Sequence, residues 1–261
     1  MRPVWKEFLL LVILCKLLST TAYSETVKAG VLFYAPPFSI ATAQGVYFGF
    51  EVDLLKAVLE AKGLEPIFIG GSLKKTFARL QEGEVDLVIA STPLIQELEH
   101  RYAVSLPYKK SFGLLVARQN FNKAELADLK NIRFGTWDTP LFRYFVIDKF
   151  GQQAKIKFYD DIASLFEALK QKEIDVIMIQ NSAATFWIHN FSKTSEVKAI
   201  GQPFALGYGY VMLAPCKNEK LIKAINEGLL IIEGNGLYLK IYEQYFGGDS
   251  QGFIIDGSSR L

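Results

Sequence analysis

Ser91-Thr92 and Gln180 hold the positions where chemistry is easiest to read from this chain. Each follows a short apolar run rich in β-branched residues, Val85 to Ala90 in the first case and Ile174 to Ile179 in the second. Hydroxyls and a carboxamide both donate and accept hydrogen bonds. Ser91, Thr92 and Gln180 are candidate ligand contacts, Gln180 towards a neutral polar group. His100 and His189 each stand alone, with no metal-ligand spacing around them, and read as surface or satisfied residues. Gly248-Asp249-Ser250-Gln251-Gly252 fits the G-x-S-x-G pattern. A nucleophile elbow, however, lies between a strand and a helix, and this copy follows the final amphipathic helix. No Walker-type phosphate loop occurs. Neither a metal nor a cofactor is expected, and no catalytic residue is assigned.

The two polar positions belong to an internal echo. Phe77-x-x-Leu80-x-x-x-Glu84-Val85-Asp86-Leu87-Val88-Ile89 recurs as Phe166-x-x-Leu169-x-x-x-Glu173-Ile174-Asp175-Val176-Ile177-Met178, at a constant offset of 166 − 77 = 89 residues. Each copy reads as the end of an amphipathic helix, a charged turn and a buried parallel strand. The offset is too long for a solenoid repeat and suits two α/β lobes carrying the same unit. Ligands bind beyond the carboxyl ends of parallel strands, which places Ser91, Thr92 and Gln180 at a cleft between the lobes. On pattern alone, a single doubly wound domain with two such connections is the alternative.

The first 24 residues form a leader. Arg2 and Lys6 precede the apolar run Phe8 to Cys15, and Ala22-Tyr23-Ser24 is a small-x-small cleavage site. The run falls short of the ~20 residues a spanning helix needs. Leu14 before Cys15 argues against lipid attachment. Arg2, Lys6 and Lys16 against Glu7 give the leader the whole formal charge of the chain, +2, so the mature chain is about neutral. Nothing then favours nucleic acid or an anionic membrane surface as partner. Cys216 is the one mature cysteine, so no internal disulfide is expected, and a lone exported thiol is usually buried and inert.

The pattern of elements is β-α throughout. Strands are expected at 27–33, 46–50, 66–69, 85–90, 114–117, 132–136, 156–158, 174–179 and 208–214. Helices are expected at 52–61, 73–81, 93–100, 141–149, 162–171, 218–233 and 236–246. Ser72, Thr139, Asp161 and Asn218 are the expected N-caps, with Pro140 suited to a first helical position. Lobe 1 comprises 25–116 and 209–247, lobe 2 comprises 117–208, and 248–261 is a tail. Two crossings, near Ala117 and Tyr208, form a hinge about which the lobes close.

These segments together resemble the family 3 extracellular solute-binding proteins, the polar amino-acid receptors of ABC importers. The likeness runs from Val27 to Gly247. It rests on Ala35-Pro36-Pro37-Phe38, Gly49-Phe50-Glu51-Val52-Asp53-Leu54, the first echoed strand, Ser105-Leu106-Pro107-Tyr108, Leu126-Ala127-Asp128-Leu129-Lys130, Phe158-Tyr159-Asp160, Gly207-Tyr208-Gly209-Tyr210 and the run Gly234 to Gly247. Singly these motifs are weak; in this order and spacing they are specific. The resemblance implies a periplasmic, monomeric, two-lobed α/β protein. Such a protein captures a small molecule and hands it to an inner-membrane ABC permease. A dehydratase-like enzyme on the same fold, or a soluble sensory module, are the alternative roles.

The same resemblance exposes a departure. Family members usually hold the ligand carboxylate with an Arg, at a position that aligns with Leu98. They hold the ligand amine with an Asp, which aligns with Gln180, and a further Asp often stands where Leu32 is. The Gly-Thr-Thr opening of the second-lobe helix becomes Thr139-Pro140-Leu141. An unpaired buried ion costs several kcal/mol, roughly, even after relaxation, so the usual zwitterion clamp is largely missing. The remaining candidates are Tyr34, Phe50 and Trp137 as flat walls, Asp138 as the carboxylate beside the cleft, Arg101 as the nearest cation, and the helix start after Thr139 as an anion site.

Overall fold

The computed structural model describes residues 25–93, 96–122, 131–139, 142–143, 145–146, 155–191 and 196–247. The expected leader 1–24, the expected tail 248–261 and most of the expected helix 141–149 lie outside the described residues. Among the described residues, no helix is long and apolar enough to cross a membrane.

Two five-stranded sheets organise the chain. The first contains β1 (Glu25–Leu32), β5 (Leu64–Gly71), β6 (Leu87–Pro93), β7 (Tyr102–Val104) and β13 (Tyr210–Pro215). The second contains β8 (Phe112–Arg118), β9 (Arg133–Trp137), β10 (Lys155–Tyr159), β11 (Val176–Gln180) and β12 (Val197–Ala205). Their orders are β5-β1-β6-β13-β7 and β10-β9-β11-β8-β12. In each, the second strand is parallel to both neighbours (β1 with β5 and β6, β9 with β10 and β11), and the last two strands each run antiparallel to the one before. A small sheet of β2 (Tyr34–Ala35), β3 (Ser39–Ala41) and β4 (Tyr47–Phe48) caps lobe 1.

The helices bounded within the described residues are α1 (Phe50–Glu60), α2 (Leu73–Glu82), α3 (Gln96–Glu99), α4 (Ile162–Lys170), α5 (Asn181–Phe191), α6 (Glu219–Gly234) and α7 (Leu237–Phe246). Phe50, Leu54, Leu55, Val58 and Leu59 recur at helical spacing, and α1 buries all five. Each such side chain contributes roughly 1.5–3 kcal/mol of transfer free energy before conformational entropy is counted. The echoed units share several local bonds. Ser72 caps α2, its Oγ accepting from Lys75 N at 3.4 Å, and Asp161 caps α4, accepting from Ser164 N at 2.8 Å. Asp86 and Asp175 each accept an N–H from the second strand of their sheet, that of Lys28 at 2.8 Å and that of Arg133 at 3.0 Å. Gly30 and Gly135 stand opposite the helices. An added Cβ would lie 2.8 Å from Thr76 in the first case and 2.3 Å from Ile174 in the second.

Several expectations change. The strand at 112–118 pairs with β11 and β12, so the first crossing lies before Phe112 and the expected lobe 1 limit at 116 moves there. The return crossing lies between Ala205 and Tyr210. The expected strand 46–50 stops at Phe48, because Gly49 has φ 130° and Phe50 already opens α1. A Cβ at Gly49 would lie 2.4 Å from the Phe38 carbonyl oxygen. Asn218 precedes α6 without capping it through its side chain, whose amide donates to Asp86 O at 3.2 Å. The helix α5 and the strand β12 carry no strong periodic signal and were not expected. Cys216 is exposed rather than buried, its thiol 3.5 Å from Arg101 O.

Candidate functional site

β6 and β11 run in the same sense within their sheets and carry Ser91 and Gln180 at their carboxyl ends. Ser91 is buried and adopts φ 46°, a left-handed conformation uncommon for a side chain with a Cβ. It lies where the β6–β13 register shifts, between the pairs Leu213–Val88 and Val211–Thr92. Such irregularities free a backbone group from the ladder and re-aim a side chain. Both polar groups of Ser91 are taken: its N–H and Oγ–H donate to Glu51 Oε1, at 2.7 and 2.9 Å. Thr92 is half-buried, with its hydroxyl 3.3 Å from Ala90 O.

Gln180 is buried and pairs through its backbone with Gly113 of β8. Its Oε1 has no partner among the described residues. An unmet buried acceptor costs about 1–3 kcal/mol, and the position at a strand end makes a ligand donor the natural remedy.

The aromatic candidates separate. Tyr34 is 57 % exposed, and its ring meets Trp187 of α5 edge-on at 6.3 Å. That contact joins the lobes. Trp187 stacks in turn on Phe166 at 5.4 Å. Trp137 is buried in the lobe 2 core, with its indole N–H donating to Asp160 O at 3.1 Å. Phe50 is buried in the lobe 1 core, with Phe38, Tyr108, Tyr242, Tyr245 and Phe246 around its ring. Its position at the first turn of α1 directs it into the sheet-helix interior, so it walls no cleft.

The charged candidates also separate. Asp138 is held by both oxygens: Arg143 Nε donates at 2.6 Å and a second Arg143 nitrogen at 2.8 Å. Arg143 also lies over the Phe158 ring at 4.2 Å. This bidentate pair already satisfies the carboxylate that a ligand amine would need. The Thr139 hydroxyl accepts from Phe142 N at 3.1 Å, as the expected N-cap would, while Pro140 and Leu141 lie outside the described residues. Arg101 is exposed and precedes β7. Because Tyr102 pairs with Pro215 while Tyr210 pairs with Pro93, Arg101 sits at the amino end of the parallel strands, opposite Ser91. It lines an outer hollow of about 450 Å³ with Gly83, Cys216 and Lys217. It cannot stand in for the missing carboxylate ligand. Leu98 packs half-buried against the apolar cluster that spans both lobes, and Leu32 is buried in it. A second hollow, about 520 Å³, lies on lobe 2 beside Trp187 and Tyr159.

Glu51, Arg143 and Trp187 were not picked out from sequence. Glu51 had one signal, an acid on the otherwise apolar face of α1. Burial pushes its carboxyl up from 4.5 to about 7, opposed by the hydrogen bonds from Tyr108 and Ser91.

Comparison with known proteins places this geometry. The chain is 24 % identical over 242 residues to ABC transporter arginine-binding protein 1 of Escherichia coli, covering 92 % of this chain and 99 % of that protein. It is 27 % identical over 241 residues to the L-cystine-binding protein TcyJ of Escherichia coli, covering 89 % and 87 %. Among solved structures, the arginine 3rd transport system periplasmic binding protein of Legionella pneumophila superposes with a TM-score of 0.79 at 26 % identity, over 85 % of this chain and all of that one. Residues 27–248 match the family model of the bacterial extracellular solute-binding proteins, family 3, and the chain belongs to that family.

Proposed function

We propose that this protein is the periplasmic receptor of an ABC importer, acting as a monomer. It captures an amino-acid-like or related small polar solute between its lobes and presents it to the inner-membrane permease. The relatives named for arginine and cystine support this class of solute. The observation that carries the reading of the site is the buried Gln180 carboxamide oxygen, unmet among the described residues at the carboxyl end of β11. A solute N–H or O–H satisfies it. Tyr34 and Trp187 close over a flat or apolar part of the solute. Binding rather than catalysis is the reading: the relatives are named as binding proteins, and Arg143 engages both oxygens of Asp138, the carboxyl expected beside the cleft.

The solute is not a standard zwitterionic α-amino acid held by paired side-chain charges. Leu98 and Leu32 supply no charge, Asp138 is engaged, and Arg101 is at the wrong end of the sheet. A thermal-shift screen of amino acids, amines, organic acids and aromatic compounds tests this, because a ligand that binds only the native state raises its apparent stability. Calorimetry then decides: micromolar or tighter binding of glutamine, arginine or histidine overturns the non-zwitterion assignment. With any true ligand, Gln180→Ala weakens binding, and small-angle scattering shows a smaller radius of gyration. An unchanged scattering profile at saturation sinks the closure.

A further inference from the structure

One feature of the Gly49-Phe50-Glu51 motif lies outside the solute contacts. Glu51 is fully buried in the first turn of α1. Its Oε1 accepts three hydrogen bonds, from Ser91 N, Ser91 Oγ and Tyr108 OH. Ser91 is the bulged end of β6, where the cleft begins. Tyr108 opens the first crossing to lobe 2: its N–H donates to Tyr210 O at 2.8 Å, across to the second crossing. Its carbonyl accepts from Tyr238 OH of α7 at 2.7 Å.

We propose that Glu51 is a positioning residue that ties the cleft floor at Ser91 to the hinge at Tyr108 through a single carboxylate oxygen. The positive φ of Ser91 is sustained because its freed N–H has an acceptor, and that acceptor is shared with the hinge. A displacement of the crossing on lobe closure then reaches Ser91 without passing through the sheet. The charged and titratable groups around Glu51 are few. Lys109, next to Tyr108, acts on it electrostatically, and burial lowers that ammonium to about 8. Its Nζ lies 4.7 Å from the centre of the Phe246 ring, 5.6 Å from Tyr242 and 5.8 Å from Tyr210. Tyr108, Tyr210 and Tyr238 are phenols raised by burial, and so neutral. Glu51 Oε2 has no hydrogen-bond partner among the described residues, which leaves Oε1 as the joining atom.

The inference takes the cleft between β6 and β11 as the solute site, and its test uses no solute, so its failure leaves the solute-binding reading standing. Amide hydrogen exchange at Ser91 is measured in the full chain, in Tyr108→Phe, in Glu51→Gln and in the double variant. Tyr108→Phe removes one hydroxyl 17 residues away in sequence (108 − 91) and is expected to speed Ser91 exchange about tenfold, the loss of one hydrogen bond to the shared carboxyl oxygen. In the Glu51→Gln background the same change is expected to add much less. A second readout is the pH dependence of the Ser91 and Lys109 amide shifts, expected to share one midpoint that disappears in Glu51→Gln. An equal effect of Tyr108→Phe in both backgrounds, no effect in the parent, or separate midpoints at the two amides would overturn the assignment.

Discussion

The two lobes repeat one local unit and diverge most where it ends. Ser72 and Asp161, Phe77 and Phe166, Leu80 and Leu169, Asp86 and Asp175, and Ser91 and Gln180 are all 89 residues apart. Helix caps, the buried Leu80 and Leu169, and a carboxylate that accepts from the neighbouring strand recur in both, although Asp175 also pairs with Arg118 and Arg133. The difference comes at the last pair. In lobe 1 the end of the strand is tied to Glu51 by two hydrogen bonds. In lobe 2 the equivalent carboxamide oxygen has no partner among the described residues. One lobe therefore offers a fixed floor and the other an open acceptor. A duplicated scaffold can keep its packing and still divide positioning from recognition between its halves.

The sharpest way to break this comparison is to remove the tied end. Glu51→Ala strips the acceptor from three buried donors, so unfolding in urea is expected to show a loss of about 3–5 kcal/mol. Gln180→Leu replaces an unmet amide with apolar volume and is expected to stay within about 1 kcal/mol of the parent. Equal losses at both sites would erase the distinction between the lobes.

Filling the strand–helix interface comes next. Gly135→Ala and Gly30→Ala are expected to cost about 1–3 kcal/mol each. The larger loss should fall at Gly135, where the new Cβ would lie 2.3 Å from Ile174 and 2.8 Å from Leu165. Calorimetric unfolding of the two variants ranks them.

The lobes also predict opposite pH slopes. Glu51 is raised to about 7 when folded, so the native state holds a proton that the unfolded chain releases above about 4.5. Its contribution to stability is full below that pH and declines as pH rises to about 7. Asp175 is lowered to about 2, chiefly by its hydrogen bonds with the Arg133 side chain. Its contribution is full above the ordinary carboxylate range and is lost as pH falls towards 2. Denaturation curves between pH 2 and 8 should show the upper slope vanish in Glu51→Gln and the lower one in Asp175→Asn.

The smallest effect is at the caps. Asp161→Ala should cost about 1 kcal/mol and Ser72→Ala about 0.5 kcal/mol, since Asp161 also binds the Ser164 hydroxyl at 2.7 Å while the Ser72 bond is 3.4 Å long. Matched chemical denaturation measures both. The reverse order would break the equivalence of the two units.

Local signals fixed the lobes' repeating unit in advance. Helix caps, apolar periodicity and the Glu-x-Asp turns act over a few residues, and they recur at one offset, so α2, α4, β6 and β11 were legible with their boundaries a few residues adrift. The ends of β6 and β11 pointed to Ser91 and Gln180 for the same reason. What the sequence could not supply was which polar groups meet. Asp138 looked like a free carboxylate until Arg143, five residues on, folded back onto it. Arg101 looked like a neighbouring cation until the β7–β13 pairing put it at the far end of the sheet. Phe50 read as a wall, yet the turn at Gly49 starts the helix there and turns its ring inward. Glu51 lies 40 residues from Ser91 and 57 from Tyr108, and no periodicity reports a carboxylate shared between a strand end and a hinge. Short-range preferences are written along the chain, whereas the partner of a buried charge is chosen by the packing of elements that are distant in it.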